Sequence, residues 1–170
     1  KLRARAQSAV DFIEASQNKI TGGWRYKAVG DGGFETQKGD LSVSGWIIMV
    51  LGSAQMSGLQ VKEETLNGAR RFLREMSGGK HGGSFGYAYG EKPGPNGKSP
   101  AMNAVGFFCS QLLGLSNNSE LAMEASSIID KKGLDVADLY YAYYGTLASY
   151  QQQGPAWRRW LEAMKEKLVT

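Results

Sequence analysis

Two residue types that build reactive and metal-binding sites are nearly missing from this chain, which has one cysteine and one histidine among 170 residues. A lone cysteine excludes an intrachain disulfide and a zinc site made of several cysteines. Cys109 lies in the run Phe107-Phe108-Cys109-Ser110, so we expect a buried and inert thiol. His81 stands in a glycine-rich segment, and the residue two places before Cys109 is a phenylalanine instead of an acid. The sequence therefore predicts no metal site and no cofactor.

Long apolar runs and a strong net charge are also missing. The longest apolar stretch, Gly45 to Gly52, is far shorter than the roughly 20 residues that span a bilayer. The formal charge is only +4 and the basic residues are scattered, which argues against nucleic-acid binding. The chain begins Lys1-Leu2-Arg3 with neither a methionine nor a signal segment, which is typical of an excised piece or a mature product. The cellular compartment stays open.

What the chain does contain is an internal repeat. The pattern Ala9-x-x-Phe12-Ile13, followed by Gly22-Gly23, returns 60 residues later (69 − 9) as Ala69-x-x-Phe72-Leu73, followed by Gly82-Gly83. A fainter third copy opens 56 residues further on (125 − 69), at Ala125-x-x-Ile128-Ile129. Units that recur at a near-constant period are typical of stacked helical arrays, in which no unit buries its apolar face alone. We therefore expect one all-α domain over 1–170 with about three and a half helix-pair repeats, approximately 3–60, 61–117, 118–153 and a partial 154–170.

Hydrophobic periodicity and helix-end signals predict helices throughout and few strands. The first helix is expected from Arg3 to Ser16, with an apolar stripe of Ala6, Ala9, Val10 and Ile13 that Phe12 could widen. The second, capped by Asp40 or Ser42, has an apolar band wide enough to predict burial on most sides. A glycine-rich loop joins the two helices within each of the first two pairs, at 21–39 in the first and at 80–98 in the second. Further helices are expected from Val61 to Met76, Pro100 to about Leu115, Ser119 to Asp130, Val136 to about Gln152 and from Pro155 onward. Ser99, Ser119 and Asp135 are the predicted caps of the helices that begin at Pro100, Ser119 and Val136. One helix is left unpaired, which predicts an eighth beyond Thr170.

The repeat residues carry a family resemblance. Ala9 to Gln17, followed by Gly23-Trp24-Arg25-Tyr26, resembles the Gln-Trp repeat of squalene and oxidosqualene cyclases. The segment from Gly39-Asp40 through Gly45-Trp46 is similar to bacterial prenyltransferase and squalene-oxidase repeat proteins, and later segments fit as well. The resemblance covers the whole chain and implies that the helix pairs form part of an α/α toroid. The fitting later segments are Gly83-Ser84-Phe85-Gly86-Tyr87, Ala101 to Gly106 and Tyr140 to Gly145.

The Gln-Trp repeat implies a tie between neighbouring units. A glutamine near the end of one helix would bond the exposed amides that open the next helix, with the indole stacked on the glutamine. Gln17 and Trp24 occupy these places in the first unit. In the second unit Ser77 and Phe85 stand there instead, so we expect a tie that is weaker or differently built.

Aromatic residues in the glycine loops and at the starts of the second helices are the candidate ligand-binding residues. Aromatic walls bind apolar or isoprenoid ligands and stabilise cations. Packing between helices is the competing interpretation and is favoured for the set as a whole. The acidic run of the cyclases, Asp-x-Asp-Asp-Thr-Ala, is absent. For Asp40 helix capping is the favoured interpretation, and a catalytic acid is the alternative. The predicted ligand-binding set is Trp24, Tyr26, Trp46, Phe85, Tyr87, Tyr140 and Tyr144.

Three functions remain open at this point. The first is a non-catalytic binding or scaffold module with an aromatic-lined concave face, and the second is an isoprenoid-processing, terpene cyclase-like enzyme. The third is a protein-interaction domain. The absence of the acidic cyclase motif and of a zinc ligand set argues against the enzyme. Open array ends predict self-association, and the tryptophans and basic residues of 155–170 suit either packing, which is favoured, or contact with a membrane surface.

Overall fold

The structure, a computed structural model, describes residues 1–27 and 38–168. Helices form 63% of the described chain, which confirms the all-α class. The middle of the predicted loop at 21–39 and the last two residues lie outside the described residues. The described helices are α1 (Leu2–Ala15), α2 (Leu41–Met56), α3 (Glu63–Met76), α4 (Pro100–Leu112), α5 (Glu120–Lys132), α6 (Leu139–Gln152) and α7 (Gly154–Leu168).

The described β structure is small, as the sequence predicts. Strand β1 (Ser77–Gly78) directly precedes the second glycine loop and pairs antiparallel with β2 (Ser84–Phe85) inside that loop, with Ser77 opposite Phe85. A single bridge joins Asp40 to Ala88 and so connects the start of α2 to this loop.

Polar caps fix where most helices begin. The Asp40 carboxylate accepts a hydrogen bond from the Val43 amide at 2.9 Å, so Asp40 is the cap of α2. Ser99 and Ser119 cap α4 and α5 as predicted. The predicted start of α6 at Val136 is wrong by three residues, because Asp138 and not Asp135 is the cap. The Asp135 carboxylate instead accepts from the Ala137 amide and pairs with Lys132, which closes a turn before the helix.

The second helices of the three pairs, α2, α4 and α6, lie in that order with α4 in the centre. Helix α4 packs against both α2 and α6, and α3 and α5 cover its other sides. All nine residues from 101 to 109 are consequently buried. Helix α7 packs on α5 and α6 and closes the far end of the described array.

Two predicted faces differ from the structure. Helix α2 is not buried on most sides, since Trp46, Val50 and Met56 are exposed. In α1, Ala6 and Ala9 of the predicted apolar stripe are also exposed. Helix α3 lies between α2 and α4, and α5 lies between α4 and α6. Helix α1 packs on α2, and no earlier second helix in the described part of the chain covers its other side.

The first glycine loop docks directly on the next unit. A Cβ added at Gly22 would lie 2.0 Å from the carbonyl oxygen of Gly68 in α3, so only glycine permits this approach. The Gln17 side-chain amide donates to the carbonyls of Gly22 and Thr65, at 3.0 and 2.9 Å. The glutamine side chain therefore donates to carbonyls. The prediction that it binds the free backbone amides at the start of the next helix is wrong. Buried Glu14 takes that role, accepting from the Lys62 amide at 2.6 Å where α3 begins.

The second glycine loop is held from the opposite side. Glu124 of α5 accepts hydrogen bonds from the backbone amides of Lys80, His81 and Gly83, at 2.7, 2.7 and 2.8 Å. Burial acts to raise the pKa of Glu124, but these three donors outweigh it and lower the pKa below its usual range. The tie in this unit is thus differently built, with an acid on the following helix in place of the missing glutamine.

Candidate ligand-binding face

Five aromatic rings meet where α2 and α6 approach each other across α4. Tyr144 of α6 lies at the centre, with its ring edge-on to Trp46 of α2 at 5.7 Å and to Phe108 of α4 at 6.3 Å between ring centroids. Tyr140 and Tyr143 surround it at 5.1 and 5.2 Å. Edge-to-face pairs at these separations are favourable beyond the apolar area they bury. The cluster therefore fixes the two helices relative to each other.

Two of these rings present a stacked pair to solvent. Trp46 and Tyr143 lie nearly parallel at 5.9 Å and 20°, and their exposed fractions are 49% and 44%. Val50, one turn after Trp46, is 44% exposed, and Leu139, one turn before Tyr143, is 74% exposed. We call these four residues, Trp46, Val50, Leu139 and Tyr143, the aromatic face. It is an apolar surface drawn from two helices on a fully packed base.

A glycine allows this arrangement. A Cβ added at Gly45 would lie 2.5 Å from Val105 of α4, so the missing side chain lets α2 approach α4 closely. The same added atom would be 3.7 Å from the Tyr144 hydroxyl. Gly45 thereby brings its neighbour Trp46 over the buried ring of Tyr144.

The base of the aromatic face contains two buried hydroxyls. Those of Tyr140 and Tyr144 interact with each other, yet neither makes a hydrogen bond of normal geometry with a described residue. Burial raises the pKa of Tyr140 to about 12 and raises that of Tyr144 as well, so both stay protonated at neutral pH. Because both hydroxyls are shielded from solvent, the surface that a ligand can reach is apolar, which suits a ligand with a long apolar body.

Asp40 is engaged on both carboxylate oxygens. One oxygen accepts from the Val43 amide and the Ser42 hydroxyl, and the other pairs with the Arg25 guanidinium at 2.7 Å. The side chain is fully buried. These contacts begin α2 and hold the preceding loop, and they account for the burial of Asp40 without a catalytic role.

The other predicted ligand-binding residues lie apart from the aromatic face. Trp24 is buried, and its indole donates to the Ile13 carbonyl at 2.9 Å. Trp24 and the exposed Tyr26 line a separate cleft of about 310 Å³ beside α1. Phe85 is buried on α4, and Tyr87 is half-exposed where its carbonyl accepts from the first amide of α2.

The structure thus brings together Trp46, Tyr140 and Tyr144 from the predicted set, but not the loop aromatics. The predicted ligand-binding set does not contain Tyr143, Val50 or Leu139. Tyrosines at 140, 141, 143 and 144 leave open which ring faces solvent, because the tilt of α6 against α4 decides that. A signal for Tyr143 existed in its spacing of one turn from Leu139.

Metal ligands, a reactive thiol and a membrane-spanning helix are the other features that could indicate a function. Among residues 1–27 and 38–168 there is no group of three His, Cys, Asp or Glu side chains arranged to hold a metal. Cys109 is buried as predicted, and burial raises the pKa of its thiol. His81 pairs with Glu120 at 3.1 Å. No helix in the described part of the chain has the length and apolarity required to cross a bilayer.

Comparisons with protein-family models, with curated proteins and with solved structures give no match for this chain. The resemblance in the repeats consequently stays a prediction, and function has to be argued from the aromatic face and its surroundings.

Proposed function

We propose that this chain is a non-catalytic binding module of the prenyltransferase and squalene-oxidase repeat type, built as part of an α/α toroid. Its ligand is an apolar, isoprenoid-like chain that lies across the aromatic face. The observation that carries the proposal is the stacked pair of Trp46 and Tyr143, half-exposed on a rigid base of buried rings. The order of α2, α4 and α6, each adjoining the next, supports the toroid arrangement.

The available binding energy is sufficient for such a ligand. Aromatic side chains bury about 150–250 Å² each, so two half-exposed rings leave roughly 200 Å² of apolar surface to cover. At about 25 cal/mol per Å² this corresponds to roughly 5 kcal/mol before the costs of association. Val50 and Leu139 extend the surface along both helices. We therefore expect weak binding of a ligand with several isoprene units, because a Kd of 1 μM corresponds to about 8.2 kcal/mol.

Binding is favoured over catalysis by the state of the acids. The candidate acid Asp40 is held by Arg25 and by its capping contacts, and its side chain has no solvent exposure. Cys109 is a buried thiol with a raised pKa, which disfavours the reactive thiolate. Neither group borders the exposed rings as a free acid or nucleophile.

Titration calorimetry with farnesol, a three-isoprene alcohol, tests the proposal on three variants. Trp46→Ala and Tyr143→Ala each remove one exposed ring, and we expect each to weaken binding at least tenfold, which corresponds to about 1.4 kcal/mol. Tyr150→Ala is the matched control, because Tyr150 is a 55% exposed tyrosine on the same helix that packs on Trp157 instead. Equal affinity in all three variants, or no binding to the unchanged chain, would contradict the proposal.

A further inference from the structure

Equivalent positions in the three units carry different charges. The residue five places after the repeat alanine is Glu14 in α1 (14 − 9), Arg74 in α3 (74 − 69) and Asp130 in α5 (130 − 125). Both acids bind a basic residue of the following unit. Glu14 binds the amide of Lys62 at 2.6 Å and its ammonium at 2.9 Å, where α3 begins. Asp130 binds Arg159 of α7 through two hydrogen bonds at 2.9 and 2.5 Å.

Arg74 reverses this charge and has no such partner. Its guanidinium makes no hydrogen bond or ion pair with any residue in 1–27 or 38–168. The neighbouring Arg70 is bonded by contrast: its Nε donates to the Leu113 carbonyl, and its Nη1 donates to the Glu63 carboxylate and the Asn67 side chain. Within the described part of the chain, the second unit therefore has an unpaired cation where the other two units have a bound anion.

The unpaired cation borders an apolar cleft. A space of about 330 Å³ lies between α3, the end of α4 and the start of α5. The two serine hydroxyls on its wall are already used, since Ser77 donates to the Arg74 carbonyl and Ser110 to the Gly106 carbonyl. Arg74 is thus the arginine on the wall whose whole guanidinium has no partner among the described residues, which leaves it available to a charged ligand. The apolar side chains of the cleft are Leu73, Phe85, Leu113, Leu115 and Leu121.

We propose that this cleft binds a small amphipathic monocarboxylate. The carboxylate pairs with the Arg74 guanidinium, whose planar fork matches two carboxylate oxygens, and supplies the anion that Glu14 and Asp130 supply in the other units. The apolar body of the ligand lies on Leu73, Leu113 and Leu121. The volume is at the lower end of the range for small-molecule sites, about 300–1,000 Å³, so the ligand is a short-chain or single-ring acid.

Octanoate, octanol and acetate separate the two parts of this interaction. We expect octanoate to bind, octanol to bind at least tenfold more weakly because it lacks the charge, and acetate to show no binding because it lacks the apolar body. Methyl NMR spectra of the whole chain locate the ligand, with shifts expected at Leu73, Leu113 and Leu121. Shifts at Val50 and Leu139 would instead place octanoate on the aromatic face and overturn this assignment, while leaving the proposed function intact.

Arg74→Glu is the decisive variant, with Arg158→Glu as its control. Arg158 is an exposed arginine on α7, so its substitution makes the same change in charge away from the cleft. We expect Arg74→Glu to weaken octanoate binding at least tenfold and Arg158→Glu to leave it within twofold. Arg74 is exposed, so folding is expected to persist, and Arg74→Gln gives the same test without an added acid. Unchanged octanoate affinity in Arg74→Gln, or equal affinity for octanol and octanoate, would overturn the proposal.

Discussion

Replacing Gly106 by alanine tests how the second glycine loop is seated on α4. A Cβ at this position would lie 2.2 Å from Cγ of Phe85 and 2.4 and 2.6 Å from the two Cδ atoms of the same ring. The ring is almost fully buried, and its backbone amide is bound to the Asn103 side chain at 2.8 Å, so the ring has little freedom to move away. The alanine therefore has to displace a packed ring or shift the helix.

The size of the effect follows from two opposing contributions. Overpacking a core commonly costs about 1–3 kcal/mol, and displacing a buried phenylalanine ring approaches the roughly 3–5 kcal/mol of losing it. Glycine to alanine within a helix returns about 1 kcal/mol. We expect Gly106→Ala to lower the free energy of unfolding by about 2–3 kcal/mol, or the Tm by roughly 4–12 °C in a chain of this size.

Gly52→Ala is the matched control in α2. Its added Cβ would meet Leu112 at 3.7 Å, which is an ordinary contact, so only the gain in helix propensity remains. We expect this variant to raise the free energy of unfolding by about 0.5–1 kcal/mol. Urea denaturation followed by circular dichroism measures both variants. If Gly106→Ala matches or exceeds the stability of Gly52→Ala, the ring is not seated on α4 and the reasoning is refuted.

Three further outcomes concern buried polar groups. Glu124→Gln should lower the free energy of unfolding by about 1–2 kcal/mol at pH 7. The pKa of Glu124 is lowered in the folded state, so its contribution to stability is present above the usual carboxyl pKa and is lost as the pH falls. The free energies of unfolding of the two proteins, measured by chemical denaturation, should therefore become equal toward pH 3. Glu14→Gln should cost about 1–3 kcal/mol through its contacts with Lys62, whereas Asp11→Asn on the exposed side of α1 should change stability by less than about 0.5 kcal/mol. Cys109 should react with a thiol reagent only at the rate of unfolding, and rapid labelling of the native protein would show that the thiol is accessible.

The repeat pattern and the helix-end signals account for most of what the sequence predicts correctly. Asp40, Ser99 and Ser119 each cap the helix that the sequence assigns to them, since a cap acts within a few residues. The prediction that Asp135 caps α6 is wrong, because Asp138, three residues later, is a second possible cap. The local sequence pattern alone does not decide between the two.

The candidate site was predicted less well, because it depends on how the units pack. Trp24 and Trp46 look alike in the sequence, each following a glycine, yet Trp24 is buried against α1 while Trp46 is half-exposed. The difference arises from the partners, since Gly45 brings α2 onto α4 and leaves the next side chain over Tyr144. The role proposed for Arg74 rests on the contacts of Glu14 and Asp130, which are made between units and are not visible in the sequence.

The central claim is that the stacked rings of Trp46 and Tyr143 form the floor of an apolar ligand site. The most direct measurement is a set of NOE cross-peaks between the methyl protons of bound farnesol and the ring protons of the chain. The claim predicts cross-peaks to Trp46 and Tyr143 at saturating ligand. Cross-peaks only to Tyr150 and Trp157, or none at saturation, would contradict it.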